Sequence, residues 1–344
     1  MDALFLRGVN YRYSSKPSFM KNSFALILLF WAISANAQMS ADNYKAMEVV
    51  SMPDTIWQLY AGEEELYQLR VDTLPQIRFW RKVMVMEGDS GLLNVAKSRQ
   101  ILEKVNADSW NDLSDTRKES YRDSLREYYC LGMDARIFFT SGKYEFYRIQ
   151  QAIPTVDQGL RLFREYGVDP WFAQAILLIE SPARLKKSPV GALGSFQLMR
   201  GVATRFGLKV NQYVDERKDF ERSAWAASQL LKTICIPETR KMLDRQGLAY
   251  EESDLWFRLM VLHVYHAGAA NVGKALAVAK PEKGGLLLIQ QLWQTEYGRF
   301  RNASQNYSQV ALASLLELDA LVQENCDQIY QLEEILTAAS LVSK

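Results

Sequence analysis

Glu180 closes the run Ala173-Gln-Ala-Ile-Leu-Leu-Ile-Glu180, a carboxyl group at the end of an otherwise apolar segment. If its side chain faces an apolar pocket, desolvation disfavours the charged form and raises its pKa. A carboxyl poised near neutral pH suits a general acid that protonates a leaving oxygen. A Glu that merely surfaces at a helix end has the same sequence appearance. The nearest acidic cluster is Asp215, Glu216 and Asp219. An Asp just before a helical run is an N-cap signal, so this cluster reads as a turn and cap. The two histidines, His263 and His266, lie three apart. A zinc site needs three or four protein ligands, and no further ligand stands in a nearby motif. His263 therefore reads as a core or rim residue, and Tyr265 between them as core packing or part of a site. Cys130, Cys235 and Cys326 show no paired CxxC spacing, so a zinc site or disulfide scaffold is not expected.

The elements that must position these residues are legible in the second half of the chain. Gly167-Val168-Asp169-Pro170 offers an N-cap Asp and a Pro at the first helical position, predicting a helix over 171–180. Ser181-Pro182 ends it, because proline disfavours helical geometry in the residue before it. Gly191 and Gly194 fall in a following loop. The spacing predicts helices over 197–206, stopped by Gly207, and from Asp219 with Phe220, Ala224, Ala227, Leu231 and Ile234 on one face. Asp254 opens a helix over 255–267 that is apolar nearly all round and so central. Residues 308–338 read as a long amphipathic helix or helix pair. Residues 39–150 read as helices, with a start at Ser114-Asp115-Thr116, while 138–147 fits strand, helix or loop. The class is mainly α.

Three ordered motifs sharpen this. They are Glu180-Ser181 followed by Ser188, Gly191, Gly194 and Gln197-Leu198-Met199; then Tyr213-Val-Asp215-Glu216-Arg217-Lys-Asp219; then Tyr265-His266-Ala267-Gly268. Over about 160–275 the chain resembles the lytic murein transglycosylases with a lysozyme-like domain. It is most similar to the membrane-bound lytic transglycosylase D type, where an Asp-Glu-Arg-x-Asp stretch also follows Gln-x-Met. The resemblance implies a lysozyme-like α-helical catalytic domain with an N-terminal helical extension and a C-terminal helix. It implies peptidoglycan glycan strands as substrate and cleavage between N-acetylmuramic acid and N-acetylglucosamine.

By the same resemblance Glu180 is the single catalytic acid and base, and Ser188, Gln197, Met199, Tyr265 and His266 line the sugar cleft. Gly191 and Gly194 let a glycan approach backbone amides closely. Most glycosidases flank the bond with two carboxylates. One suffices if the muramyl 6-hydroxyl supplies the nucleophile and closes a 1,6-anhydro ring. No metal or organic cofactor is required. The chain departs from the pattern at four places: one residue fewer between Glu180 and Ser188, Pro182 for a small residue, Arg200 for proline, and His266 for asparagine. A protonated imidazole beside Glu180 would lower the carboxyl pKa. A hydrolytic muramidase and a catalytically weak peptidoglycan-binding scaffold are the rival readings.

Composition bounds the rest. Over 344 residues, 41 Lys+Arg balance 40 Asp+Glu, which argues against a nucleic-acid binder. Residues 20–38 carry Lys21, an apolar run over 24–33 and Ala35-Asn36-Ala37, the pattern of a secretory signal with Met20 as its start. That run is shorter than the roughly 20 residues a membrane span needs, and no cysteine follows for lipidation. The expected organisation is a signal peptide over 1–37, a helical region over 38–150, a transglycosylase domain over 151–315 and a helical tail over 316–344. The expected location is the periplasm, without a transmembrane segment, with recruitment to the wall through the cleft, the N-terminal region or a cell-envelope protein partner.

Overall fold

The computed structural model describes residues 4–6, 47–51, 55–60, 64–180 and 187–342. The signal-peptide pattern lies outside them save for Leu4–Leu6, as do Ser181 and Pro182. Among them no helix is long and apolar enough to cross a membrane.

The architecture is built around one apolar helix. Helix α6 (Trp171–Glu180) buries every residue from Trp171 to Ile179. A helix that is apolar all round must be enclosed on all sides, and α6 packs against α5 (Ile149–Glu165), α10 (Leu255–Ala267) and α13 (Asn302–Val342). Its start is fixed as the sequence predicts. Asp169 Oδ1 accepts the Trp171 amide at 2.9 Å, while Oδ2 accepts Arg258 Nε of α10 at 2.9 Å. The two central helices are therefore joined at one carboxylate. The polar residue inside α6, Gln174, is fully buried and pairs with the backbone of Tyr60, accepting its N–H at 2.9 Å and donating to its carbonyl at 2.8 Å.

Asp219 caps α8 (Phe220–Leu230) through the Arg222 amide at 2.8 Å. A π turn over Leu231–Cys235 continues α8 into α9 (Ile236–Arg245), where Pro237 lacks the N–H that a regular helix would use. Helix α10 has the predicted bounds and ends at Gly268, whose φ of 79° suits a residue without a side chain. Asp254 precedes it, but its carboxylate accepts the Trp256 indole N–H and the Glu251 amide rather than capping the helix. Helices α11 (Ala269–Ala279) and α12 (Leu286–Gln294) lead to α13, which starts at residue 302 rather than 308 and runs unbroken past 315.

The mainly α expectation holds, but the helical reading of 38–150 holds only in part, and of the alternatives open for 138–147 a strand is found at its start. Helices α1 (Glu64–Gln68), α2 (Pro75–Val85), α3 (Ala107–Asn111) and α4 (Asp115–Tyr128) are present, and Ser114 caps α4 as predicted. Strands β1 (Leu4–Leu6), β2 (Met47–Ser51) and β3 (Thr55–Leu59) form one antiparallel sheet. Strands β4 (Ser90–Val95), β5 (Ile101–Asn106) and β6 (Ile137–Ser141) form a second in the order β5-β4-β6. The reason shows in two adjacent leucines. Strand side chains alternate faces, so Leu92 enters the main core while Leu93 joins Leu102, Trp110, Leu125 and Ile137 in a second one. A strand covered on both faces has no amphipathic alternation to read.

Removing the Gln174 amide deprives the Tyr60 backbone of two buried hydrogen bonds. Gln174→Ala is expected to lower stability by about 2 kcal/mol, seen as a lower urea midpoint at unchanged slope.

Candidate active site

Glu180 ends α6 as a half-buried residue, after nine buried ones. Burial pushes its carboxyl up to about 7, opposed by a hydrogen bond that Tyr307 Oη donates to Oε1 at 2.9 Å. Tyr307 is buried in the second turn of α13. Burial and the neighbouring Glu180 charge hold the hydroxyls of Tyr147, Tyr265 and Tyr307 well above the ordinary tyrosine range, so all three stay protonated. The carboxyl thus feels three neutral phenols, of which that of Tyr307 is bonded to it.

His266 reaches the same place differently. Its ring stacks on Tyr307 at 4.4 Å between centroids and 22° between planes. It is open to solvent on one side, yet desolvation by the protein around the rest pushes it down to about 4. The imidazole is therefore neutral at mildly acidic pH and adds no cation beside Glu180. His263 lies fully buried, with Nε2 2.9 Å from Ser308 Oγ, which also accepts the Trp293 indole at 2.8 Å. It is a core residue linking α10 to α13.

The loop over 188–199 brings the other predicted residues into one backbone unit. The Ser188 amide donates to the Ala192 carbonyl at 2.9 Å, and Ser188 Oγ accepts the Ala192 amide at 2.9 Å. Leu193 and Leu198 pair as an isolated bridge, and Gln197 turns back on Gly194 through both its amide and its side chain at 3.0 Å. Gln197 takes a φ of +46°, so it cannot begin a helix. Helix α7 spans Arg200–Arg205, shorter than the predicted 197–206, with Met199 exposed at its N-cap and Arg200 at its first position. Tyr265 Oη donates to the Phe196 carbonyl at 2.7 Å, tying α10 to the loop next to Gln197.

What shapes the loop is Arg217, which the sequence did not single out as functional. Its buried guanidinium donates to the carbonyls of Gly191 at 2.8 Å and Leu198 at 3.0 Å, and forms a two-pronged pair with Asp215 at 2.9 and 2.7 Å. Gly194 packs so closely that a Cβ would lie 1.8 Å from the Arg217 carbonyl, so the fold itself requires glycine there. At Gly191, with a φ of +91°, a Cβ would meet open space. The Asp215, Glu216 and Asp219 cluster is a turn and cap, as predicted. Asp215 also accepts the Arg217 amide, and Glu216 accepts the Lys209 amide at 2.6 Å.

Residues 162–286 match the family model described as the transglycosylase SLT domain. The match indicates a peptidoglycan-cleaving function of the lytic transglycosylase type. No curated protein matches the chain. The SLT-like stretch runs from α5 to the start of α12 and includes Glu180, the 188–199 loop, Arg217, Tyr265 and His266. It does not include Tyr147 or Tyr307. Both stand in largely polar surroundings in the sequence, so nothing local marks them; a buried phenol needs a polar partner.

The raised carboxyl pKa has a consequence for stability. A carboxyl with a folded-state pKa above the unfolded one contributes stability that is present below about 4.5 and lost as pH rises through about 7. Glu180→Gln should therefore match the wild type near pH 4 and exceed it at roughly pH 8 by about 3 kcal/mol, measured by chemical denaturation at the two pH values.

Proposed function

We propose that the protein is an exported lytic transglycosylase that cleaves the β-1,4 bond between N-acetylmuramic acid and N-acetylglucosamine, with Glu180 as its single acid and base. The observation that carries this is a carboxyl pushed up to about 7 at the end of an apolar helix, within a stretch that matches the transglycosylase SLT domain. Protonated Glu180 donates to the glycosidic oxygen as the bond breaks. The carboxylate left behind accepts the hydrogen bond of Tyr307 on Oε1. It then takes the proton of the muramyl 6-hydroxyl, which attacks the sugar carbon and closes the 1,6-anhydro ring. The proton count balances: one leaves Glu180 and one returns.

One feature favours the intramolecular nucleophile over a second carboxylate, and another favours Glu180 as the acid. The nearest acidic cluster in sequence is committed to Arg217, Lys209 and the cap of α8. His266, neutral above about 4, leaves the Glu180 carboxyl free to titrate near neutrality. Ser188, Gly191, Gly194, Gln197 and Met199 form the proposed cleft wall, and Tyr265 holds it. The similarity to the membrane-bound lytic transglycosylase D type rests on the Asp-Glu-Arg-x-Asp stretch. The periplasmic location rests on the signal pattern of residues 20–38.

The deciding measurement is mass spectrometry of muropeptides from purified peptidoglycan. The expected products are lighter by one water than hydrolytic ones, and Glu180→Gln lowers their rate by about a hundredfold or more. Reducing-end products make the protein a muramidase, and retained binding without products makes it a scaffold. The rate should fall as pH rises through about 7, because the acid must be protonated. His266→Asn should leave that limb in place, since His266 is uncharged throughout the range in which Glu180 titrates.

A further inference from the structure

Arg99 stands in the turn between β4 and β5, outside the SLT-like stretch, with a φ of +59° and its side chain buried. Its guanidinium carbon lies 5.3 Å from the ring centre of Phe79, 5.7 Å from that of Trp80 and 5.7 Å from that of Phe138. Nη1 donates to Asn94 Oδ1 at 3.1 Å. Nη2 donates to Asn302 Oδ1 at 2.9 Å and Asn306 Oδ1 at 3.0 Å. All three acceptors are asparagine amides, so the buried charge is held by ring faces and dipoles.

The place is unusual for a cation. Asn302 opens α13, and a positive charge at a helix N-terminus opposes the helix dipole. Helix stability therefore does not account for it. What the contact does is mechanical. Asn302 and Asn306 lie four apart on one face, and Asn306 Nδ2 also donates to Asn302 Oδ1 at 2.9 Å. The fork of Arg99 thus fixes the rotation and height of the first turns of α13. The next residue is Tyr307, whose hydroxyl meets Glu180. A slip by one residue turns a helix by about 100° and moves it by about 1.5 Å, which takes that hydroxyl off the carboxyl. Farther along, Trp80 Nε1 donates to Gln309 Oε1 at 3.1 Å and Arg81 pairs with Glu317, so α2 holds the same helix.

We propose that Arg99 is a positioning residue for the reaction. By holding Asn302 and Asn306 it sets the register of α13 and keeps Tyr307 on Glu180, so the small N-terminal sheet is a working part of the active site. This rests on the reading of Glu180 as the acid. The test is carboxyl NMR of the full chain with 13C-labelled glutamate, with Glu180→Gln assigning the signal, alongside turnover and a circular dichroism check of folding. Tyr307→Phe removes the bond that lowers the Glu180 pKa, so its titration moves up. Arg99→Met is expected to move it up by the same amount, and the double variant no further. Its kcat should fall as far as in Tyr307→Phe, with KM unchanged. A folded Arg99→Met with the wild-type Glu180 titration overturns the proposal, as does a shift that adds to that of Tyr307→Phe. If Arg99→Met does not fold, Asn302→Ala/Asn306→Ala cuts the same link from the helix side and is judged by the same two outcomes. The titration needs no turnover. A shifted Glu180 in a protein without transglycosylase products supports the positioning role and rejects the proposed reaction. Anhydro products with an unshifted Glu180 do the reverse.

Discussion

The hydrogen bond from Tyr307 to Glu180 is the contact on which the site depends. A carboxyl at the end of a buried apolar helix is driven toward its neutral form by desolvation. The acid and base role proposed for Glu180 requires that the carboxyl be tolerable in both states. One phenol supplies that tolerance, since it is itself held far from ionisation and can donate to either form. Had a cation filled this place, the carboxyl would stay charged and be no acid. Had the place been purely apolar, the carboxyl would resist losing its proton. Neutral His266, stacked on the same phenol, fills the space without adding charge.

The rest of the structure makes that contact reproducible. Glu180 is fixed from below, where Asp169 joins the start of α6 to α10 and Gln174 fastens its middle to the chain at Tyr60. Tyr307 is fixed from the side, through Ser308 and His263 on one flank and the N-terminal helices and sheet on the other. Opposite them, Arg217 gathers two carbonyls of the 188–199 loop and one carboxylate, with Gly194 pressed against its own carbonyl. A loop held by one buried guanidinium keeps its shape without secondary structure, and stiff walls reduce the ordering that binding a polymer requires.

The acidic cluster after the loop is engaged by local structure. Asp215 serves the guanidinium, Glu216 an amide and a nearby arginine, and Asp219 the start of a helix. Their charges are absorbed by local partners, which holds the Asp215 and Glu216 carboxyls below the ordinary range. Glu180 moves in the opposite direction. Two environments push the same chemical group apart, which is how a single acid is set off from its surroundings.

The amino-acid sequence by itself determined what is local. Caps at Asp169, Asp219 and Ser114, the stop at Gly268 and the apolar runs of α6 and α10 follow from side-chain types within a few residues, and those helices lie where that chemistry puts them. The motif order around Glu180 likewise singles out that carboxyl as the candidate acid. Only the tertiary structure decided the rest. Leu92 and Leu93 form a strand because two separate cores need them on opposite faces. Gln197 is not helical because Gly194 and Arg217 fold its loop back on itself. Tyr307 became part of the site because α13 returns past α6 more than a hundred residues later. A pKa near 7, a bond across that separation and a clamp from Arg99 are properties of enclosure, and enclosure arises only when distant segments pack together.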